Sequence, residues 1–354
     1  MEVGPREIST NRLTLRPPVA SDRGLWVRLS LDPALWAHAT RPMPASEAHA
    51  SAEFDACLDR WRTTGFDLGV VEESLRGRTV GFGGVRQADA GERLRLTFCF
   101  DSAVHGRGLA REAARAWSAY AFEWLPDLPL VAVVGEHNVA AARTARSVGM
   151  EAEDTPDAST GDGDASRPTV FAAPRVEVLD RFDGQTRESV LDLWCAVNDD
   201  GGAVGFLPGA SRSAVAQALS AHEEQMADGS AAAVLLRATG GSVVGIGFWV
   251  AEANPMLAHT RTGYRIMTDP ARRGRNLGRL LLAAMHRTAR AHGVELVSVG
   301  VRSGLGITRF YERAGYDEVG RVPGAIRVAP GDDRDDIVLS RRLDGRPMVA
   351  DGRA

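Results

Sequence analysis

Stretches in which apolar and polar residues alternate predict strands at 12–17 (RLTLRP), 66–72 (FDLGVVE), 79–87 (TVGFGGVRQ) and 93–100 (RLRLTFCF). Apolar residues at helical spacing predict helices around 21–29 and 46–63, and a longer one at 111–125 (REAARAWSAYAFEWL). An apolar run at 129–138 (PLVAVVGEHN) reads as a buried strand, and a short helix closes at Gly149. The segment 154–168, rich in Gly, Pro, Ser and Asp, has no apolar period and reads as a loop near a boundary. A short strand-like piece, 169–174, follows it.

The same order then returns. RVEVLDRF (175–182) is a new first strand, 189–198 a helix, and 211–229 a helix opened by a serine cap. Strands follow at 231–238, 242–251 and 263–270, then a helix at 279–293, a strand at 294–301 and a short helix ending in FYERAGY (310–316). In each half a glycine-bearing strand, a strand, a small-residue loop and a long helix succeed one another at matched intervals. That repetition predicts duplication into two α/β (α+β) domains, 1–174 and 175–345, with 346–354 as a tail.

Composition narrows the chemistry. The chain has 354 residues and a formal net charge of −4, which argues against a general nucleic-acid binder. All 42 basic residues are arginine, so a Walker lysine, a pyridoxal Schiff base and any catalytic lysine are excluded. The three cysteines are far apart, and no HExxH or Cys/His cluster is present, so neither a disulfide framework nor a metal is expected. The start of the chain lacks an apolar h-region, and no stretch approaches about 18 apolar residues. No membrane partner and a cytoplasmic location are expected.

The loops that open the two long helices carry the clearest chemistry. HGRGLA (His105, Gly106, Arg107, Gly108, Leu109, Ala110) and RGRNLG (Arg273, Gly274, Arg275, Asn276, Leu277, Gly278) each follow a strand. Unpaired N–H groups at a helix start, small residues and arginines together suit phosphate oxygens.

These loops resemble the pyrophosphate signature of the GNAT acyltransferase superfamily, Gln/Arg-x-x-Gly-x-Gly/Ala. His105, Gly108 and Ala110 take its positions in the first half, and Arg273, Asn276 and Gly278 in the second. Asn276 replaces the usual glycine, a mild departure because asparagine tolerates unusual backbone angles. The resemblance implies two tandem GNAT domains, each a mixed, splayed sheet flanked by helices, and acetyl-CoA as donor. The strand pairs expected to part are 93–100 with 130–135 and 263–268 with 296–301. The first half is similar to the Rim-type branch through 9–17, 105–123 and 138–150. Asn138 fits that branch's Asn-x-x-Ser, but Ala141 replaces the serine and no tyrosine lies nearby, so this half is expected to bind CoA and to be catalytically degenerate. The second half is similar to the tabtoxin-resistance acetyltransferases through 201–209, 265–282, 310–324 and 336–343.

The resemblance puts Tyr311 at the general acid for the departing thiolate. It implies an oxyanion donor on the 263–268 strand near Ile266 and Met267. A base is less defined: Gly300 stands where that group carries an aspartate. Asp199 and Asp200, and His222, Glu223 and Glu224, are the candidates, with Asp199 and Glu223 foremost. Phe206 and Leu207 in GFLPG suit an apolar acceptor pocket. The reading is acetyl transfer by direct attack of a primary amine on a small amino-acid-like metabolite or antibiotic, by a monomer or homodimer. The alternatives are a protein N-terminal acetyltransferase run by the first half, or a non-catalytic CoA-binding scaffold.

Overall fold

Most of the expected strands pair into two open sheets, one in each half of the chain. The computed structural model describes residues 4–36, 42–153, 168–346 and 348. Residues 154–167 of the expected loop, and 347 and 349–354 of the expected tail, lie outside these described residues. The chain divides into two units, Met1–Pro174 with Gly274–Asn276, and Arg175–Arg273 with Leu277–Ala354.

The first unit contains β1 (Ile8–Ser9), β2 (Leu13–Arg16), β3 (Leu68–Glu73), β4 (Arg78–Ala88), β5 (Arg93–Phe100), β6 (Leu130–Val134), β7 (Glu151–Ala152) and β8 (Thr169–Ala172). Its helices are α1 (Arg23–Ser30), α2 (Pro33–Trp36), α3 (Glu47–Thr64), α4 (Leu109–Trp124) and α5 (Val139–Ser147). The sheet order is β1-β2-β3-β4-β5-β6-β8-β7. Every pairing is antiparallel except β5 with β6. Ser46 opens α3 by accepting from the His49 N–H at 3.2 Å, and Gly65 ends it at φ 82°. Trp26, Phe54 and Phe82 form an aromatic cluster on one face of this sheet.

The second unit contains β9 (Arg175–Leu179), α6 (Gly184–Asp199), α7 (Arg212–Ala227), β10 (Ala231–Arg237), β11 (Val243–Val250), β12 (Thr260–Thr268), α8 (Leu277–Ala291), β13 (Leu296–Arg302), α9 (Thr308–Glu312), β14 (Asp317–Ala329) and β15 (Asp332–Arg342). Its sheet order is β14-β15-β13-β12-β11-β10-β9, with only β12 and β13 parallel. All eight residues of β11 are buried, because helices cover both faces. Ile246 and Phe248 face α6 and α7 in one core with Trp194, Val215 and Leu219. Gly247 faces α8, where a Cβ would lie 2.5 Å from Met285 Sδ, so the helix sits tightly on the strand.

Several boundaries shift for local reasons. The helix expected at 189–198 begins at Gly184, because the Asp183 side chain accepts from the Thr186 N–H at 2.6 Å. The strand expected at 129–138 stops at Val134, and Asn138 caps α5 instead. The long β14 was not expected: it is largely exposed and carries Pro323, so its residues do not alternate. No helix among the described residues is long and apolar enough to cross a membrane. Cys57, Cys99 and Cys195 form no disulfide, and no group of three or more potential metal ligands occurs among the described residues.

Candidate active site

The two helix-opening loops share a backbone design. Gly106 and Gly108 lie at φ 74°, and Gly274 and Asn276 at 76° and 66°. Left-handed residues at the second and fourth positions turn the chain into the helix and leave its first N–H groups without helical acceptors. Asparagine tolerates this region better than most side chains, which explains why Asn276 can stand for glycine. Leu109 and Leu277 are buried and anchor the loops, while Arg275 is exposed.

Polar contacts already engage other loop residues. Arg107 is ion-paired with Glu73, whose carboxyl it holds below its usual range. Its carbonyl accepts from Arg12 at 3.0 Å. His105 Nε2 meets the Phe100 carbonyl at 3.0 Å. Arg273 is ion-paired with Asp200 at the end of α6, and both side chains are substantially exposed. Asn138 uses its side-chain oxygen to cap the Ala141 N–H at 2.9 Å.

Both central strand pairs part as expected. β5 and β6 pair only at Leu94–Leu130 and Arg95–Val131. β12 and β13 pair from Thr260–Leu296 to Gly263–Val299, and from there to Thr268 β12 keeps a ladder only with β11. Beyond Gly263, backbone groups on that edge have no ladder partner from β13.

The two sheets differ at this point. In the first, Phe98 alone stands opposite Gly83, and β4–β5 keeps one register throughout. In the second, the register shifts between Ile246 and Phe248, so Arg265 and Ile266 together oppose Gly247. This is a β-bulge, with Arg265 left-handed at φ 50°. Ile266 turns towards α8 beside Gly247, and Met267 is buried in the core under α6 and α7.

The α6–α7 face of the bulge is aromatic. Trp194 is fully buried, and its Nε1–H donates to the Val204 carbonyl at 3.0 Å. Phe206 packs on Trp194 at 6.0 Å, whereas Leu207 is half-exposed. Asn198 donates to the Leu207 carbonyl at 2.7 Å and so ties the loop 201–210 to α6. His222 stacks on Phe248 at 4.4 Å and lies 6.3 Å from the Tyr264 ring. Its Nδ1 is 3.0 Å from Gln225 Oε1; with Nδ1–H as donor, Nε2 is left as an acceptor. Burial holds this imidazole below its ordinary pKa, and the nearby Arg265 charge lowers it further, against a raising hydrogen bond from Gln225.

The two foremost base candidates, Glu223 and Asp199, both have partners. Glu223 forms a 3.0 Å ion pair with Arg187 on α6. Asp199 accepts from the Gly209 N–H at 3.3 Å on an exposed surface. Both are engaged in holding α6, α7 and their loop together.

Tyr311 lies on α9, buried, with its ring 5.1 Å from Phe310 and 5.4 Å from Tyr316. Burial pushes the phenol well above its usual pKa, so it stays protonated across the neutral range. Phe310 in turn touches the start of α8, where a Cβ on Gly278 would be 3.4 Å from its ring.

Sequence reasoning missed Arg265, Trp194 and Tyr264 as site residues. A charge inside GYRIMT was the available signal for Arg265. His222 had a stronger one, since it continues the stripe Val215, Leu219, Met226 that α7 buries.

A family model described as an acetyltransferase (GNAT) domain matches residues 12–151, and a second of the same description matches 230–318. Together they cover more than half of the chain. No curated protein matches it. Similar solved structures include an acetyltransferase from Agrobacterium tumefaciens, 24% identical over 49% of this chain and 96% of that one, with a TM-score of 0.40. A GCN5-related N-acetyltransferase from Kribbella flavida is 18% identical over 47% and 97%, at 0.39. A ribosomal-protein-alanine N-acetyltransferase from Brucella melitensis is 17% identical over 47% and 99%, also at 0.39. The chain belongs to the GNAT family, whose domains use acetyl-CoA as co-substrate, and carries two such domains in tandem, which makes it an N-acetyltransferase.

Proposed function

We propose that the second unit is the catalyst, and that it acetylates the primary amine of a small amino-acid-like metabolite or antibiotic by direct attack. The observation that carries this reading is the bulge in β12, which β5 lacks. A bulge leaves an extra residue outside the ladder, and its free N–H suits a developing oxyanion in a site that must not reorganise.

The residues present fit acetyl-CoA. The left-handed loop 273–278 and the first N–H groups of α8 suit a pyrophosphate, and Arg275 adds an exposed cation. Arg273 is exposed enough to exchange Asp200 for a phosphate. Acetyl-CoA supplies the acetyl thioester. The bulge near Ile266 and Met267 binds the carbonyl oxygen. His222 takes the proton that an ammonium must lose before it can attack. Tyr311 holds a proton for the sulfur that departs. In the first unit, Arg107 is ion-paired with the largely buried Glu73, and β5 passes Gly83 without a bulge. That supports a supporting role for the first unit.

A pH profile tests the assignment. His222 has a lowered pKa, so it is already neutral at pH 7 and loses its basic form only in more acidic solution. The acid limb of kcat/KM is therefore expected below about pH 6.5, the ordinary histidine value. In His222→Asn that limb should vanish and kcat/KM should fall about 100-fold. A profile indifferent to His222→Asn would place the chemistry away from this pocket.

A further inference from the structure

The Arg265 guanidinium is held in place without an anion. Its Cζ lies 5.3 Å over the Trp194 ring. It rests against the backbone of Gly205, where a Cβ would fall 2.2 Å from Nη1. Only glycine leaves that space. The bulge aims it: with two residues opposite Gly247, Tyr264 and Arg265 both face α6 and α7, where an unbroken strand would alternate them. The left-handed backbone of Arg265 is a further cost of that placement.

Among the described residues no carboxylate pairs with this cation, and its Nε is buried without a hydrogen-bond acceptor. Arginines elsewhere in the unit do find partners: Arg237 has Glu177, Arg187 has Glu223 and Arg321 has both Glu318 and Asp335. A largely buried cation without a counter-ion is unfavourable to folding, so its retention beside a catalytic pocket points to a ligand. The loop proposed for the donor's phosphates opens α8, which packs on the opposite face of β11.

We infer that Arg265 binds the carboxylate of the acceptor, so that the acceptor class is small amines bearing a free carboxylate. This rests on the second unit being the catalyst. A planar guanidinium takes a carboxylate through two parallel N–H donors, and stacking on Trp194 fixes the plane of the fork. Carboxylate and amine are then held as the two ends of one molecule, with His222 and Tyr264 on the same face.

The test uses the full chain and does not depend on turnover. Thermal unfolding is followed with a panel of free amino acids and, in parallel, their primary amides. At least one free acid is expected to raise the unfolding midpoint while its amide does not. Arg265→Met should abolish that shift, with about 10- to 100-fold weaker binding of the acid, and Arg265→Lys should restore part of it. Equal shifts from acid and amide, no shift from any free acid, or a shift that survives Arg265→Met would overturn the inference. If Arg265→Met fails to fold, Arg265→Gln serves with the same criteria. Failure of the underlying reading looks different: a free acid binds through Arg265 but no acetylated product forms in the presence of acetyl-CoA.

Discussion

Tyr311→Phe is expected to lower kcat about 10- to 1000-fold, with binding of acetyl-CoA retained. Tyr311 packs between Phe310 and Tyr316 on a five-residue helix, so removing one oxygen leaves the ring contacts in place. The fold is therefore expected to survive. What is lost is the proton for the thiolate that forms when an amine displaces it. Burial makes Tyr311 a weaker acid than a free phenol, so it holds its proton until a strong base appears beside it. A thiolate expelled into a dry site is such a base. Steady-state kinetics combined with equilibrium binding of acetyl-CoA check the prediction, because the two quantities should separate. Unchanged turnover would remove Tyr311 from the mechanism.

The second large effect is expected at the matched glycines of the two loops. Gly106 and Gly274 are left-handed, and an added Cβ would meet nothing within 4 Å at either. Valine at either position therefore costs backbone strain rather than a clash, roughly 1–2 kcal/mol. The expected loss of thermal stability is similar for both. Their effects on catalysis should not be. Gly274→Val pulls the loop away from its anion-binding geometry, and KM for acetyl-CoA should rise about 10-fold or more. Gly106→Val should leave kcat and KM near wild type. The reverse pattern, with loss only in Gly106→Val, would move the chemistry to the first unit.

Much of this architecture can be read from the chain because its signals are local. Alternation marks β2, β5 and β9, and a serine cap marks α7. The repeat of small residues before α4 and α8 marks both loops, including the left-handed backbone that Asn276 adopts. What stays hidden depends on pairing across the sheet. The bulge exists because two residues of β12 face Gly247, and nothing within GYRIMT announces that count. Phe98 occupies the corresponding stretch of β5 with no bulge at all. β14 is hidden for another reason: an exposed edge strand needs no apolar face, and Pro323 and its register shifts break what alternation remains.

The base illustrates a finer limit. His222, Glu223 and Glu224 are consecutive, and each step along a helix turns the side chain by about 100°. Composition alone cannot choose among them. The buried stripe of α7 separates them: it includes His222, the base proposed above, and leaves Glu223 to reach Arg187. Arg265 and Trp194 come together from β12 and α6, far apart in sequence, and their pairing needs the fold.

The central claim is that a small carboxylate-bearing amine is acetylated in the second unit. An acceptor screen with the intact chain and acetyl-CoA, read by mass spectrometry, tests it most directly. The panel holds free amino acids, amino-acid-like antibiotics, polyamines, amino sugars and peptides with free N-termini. The account predicts a monoacetylated amino-acid-like product, about 10- to 1000-fold slower to form with Tyr311→Phe. Acetylation confined to peptide N-termini, and unaffected by Tyr311→Phe, would contradict it.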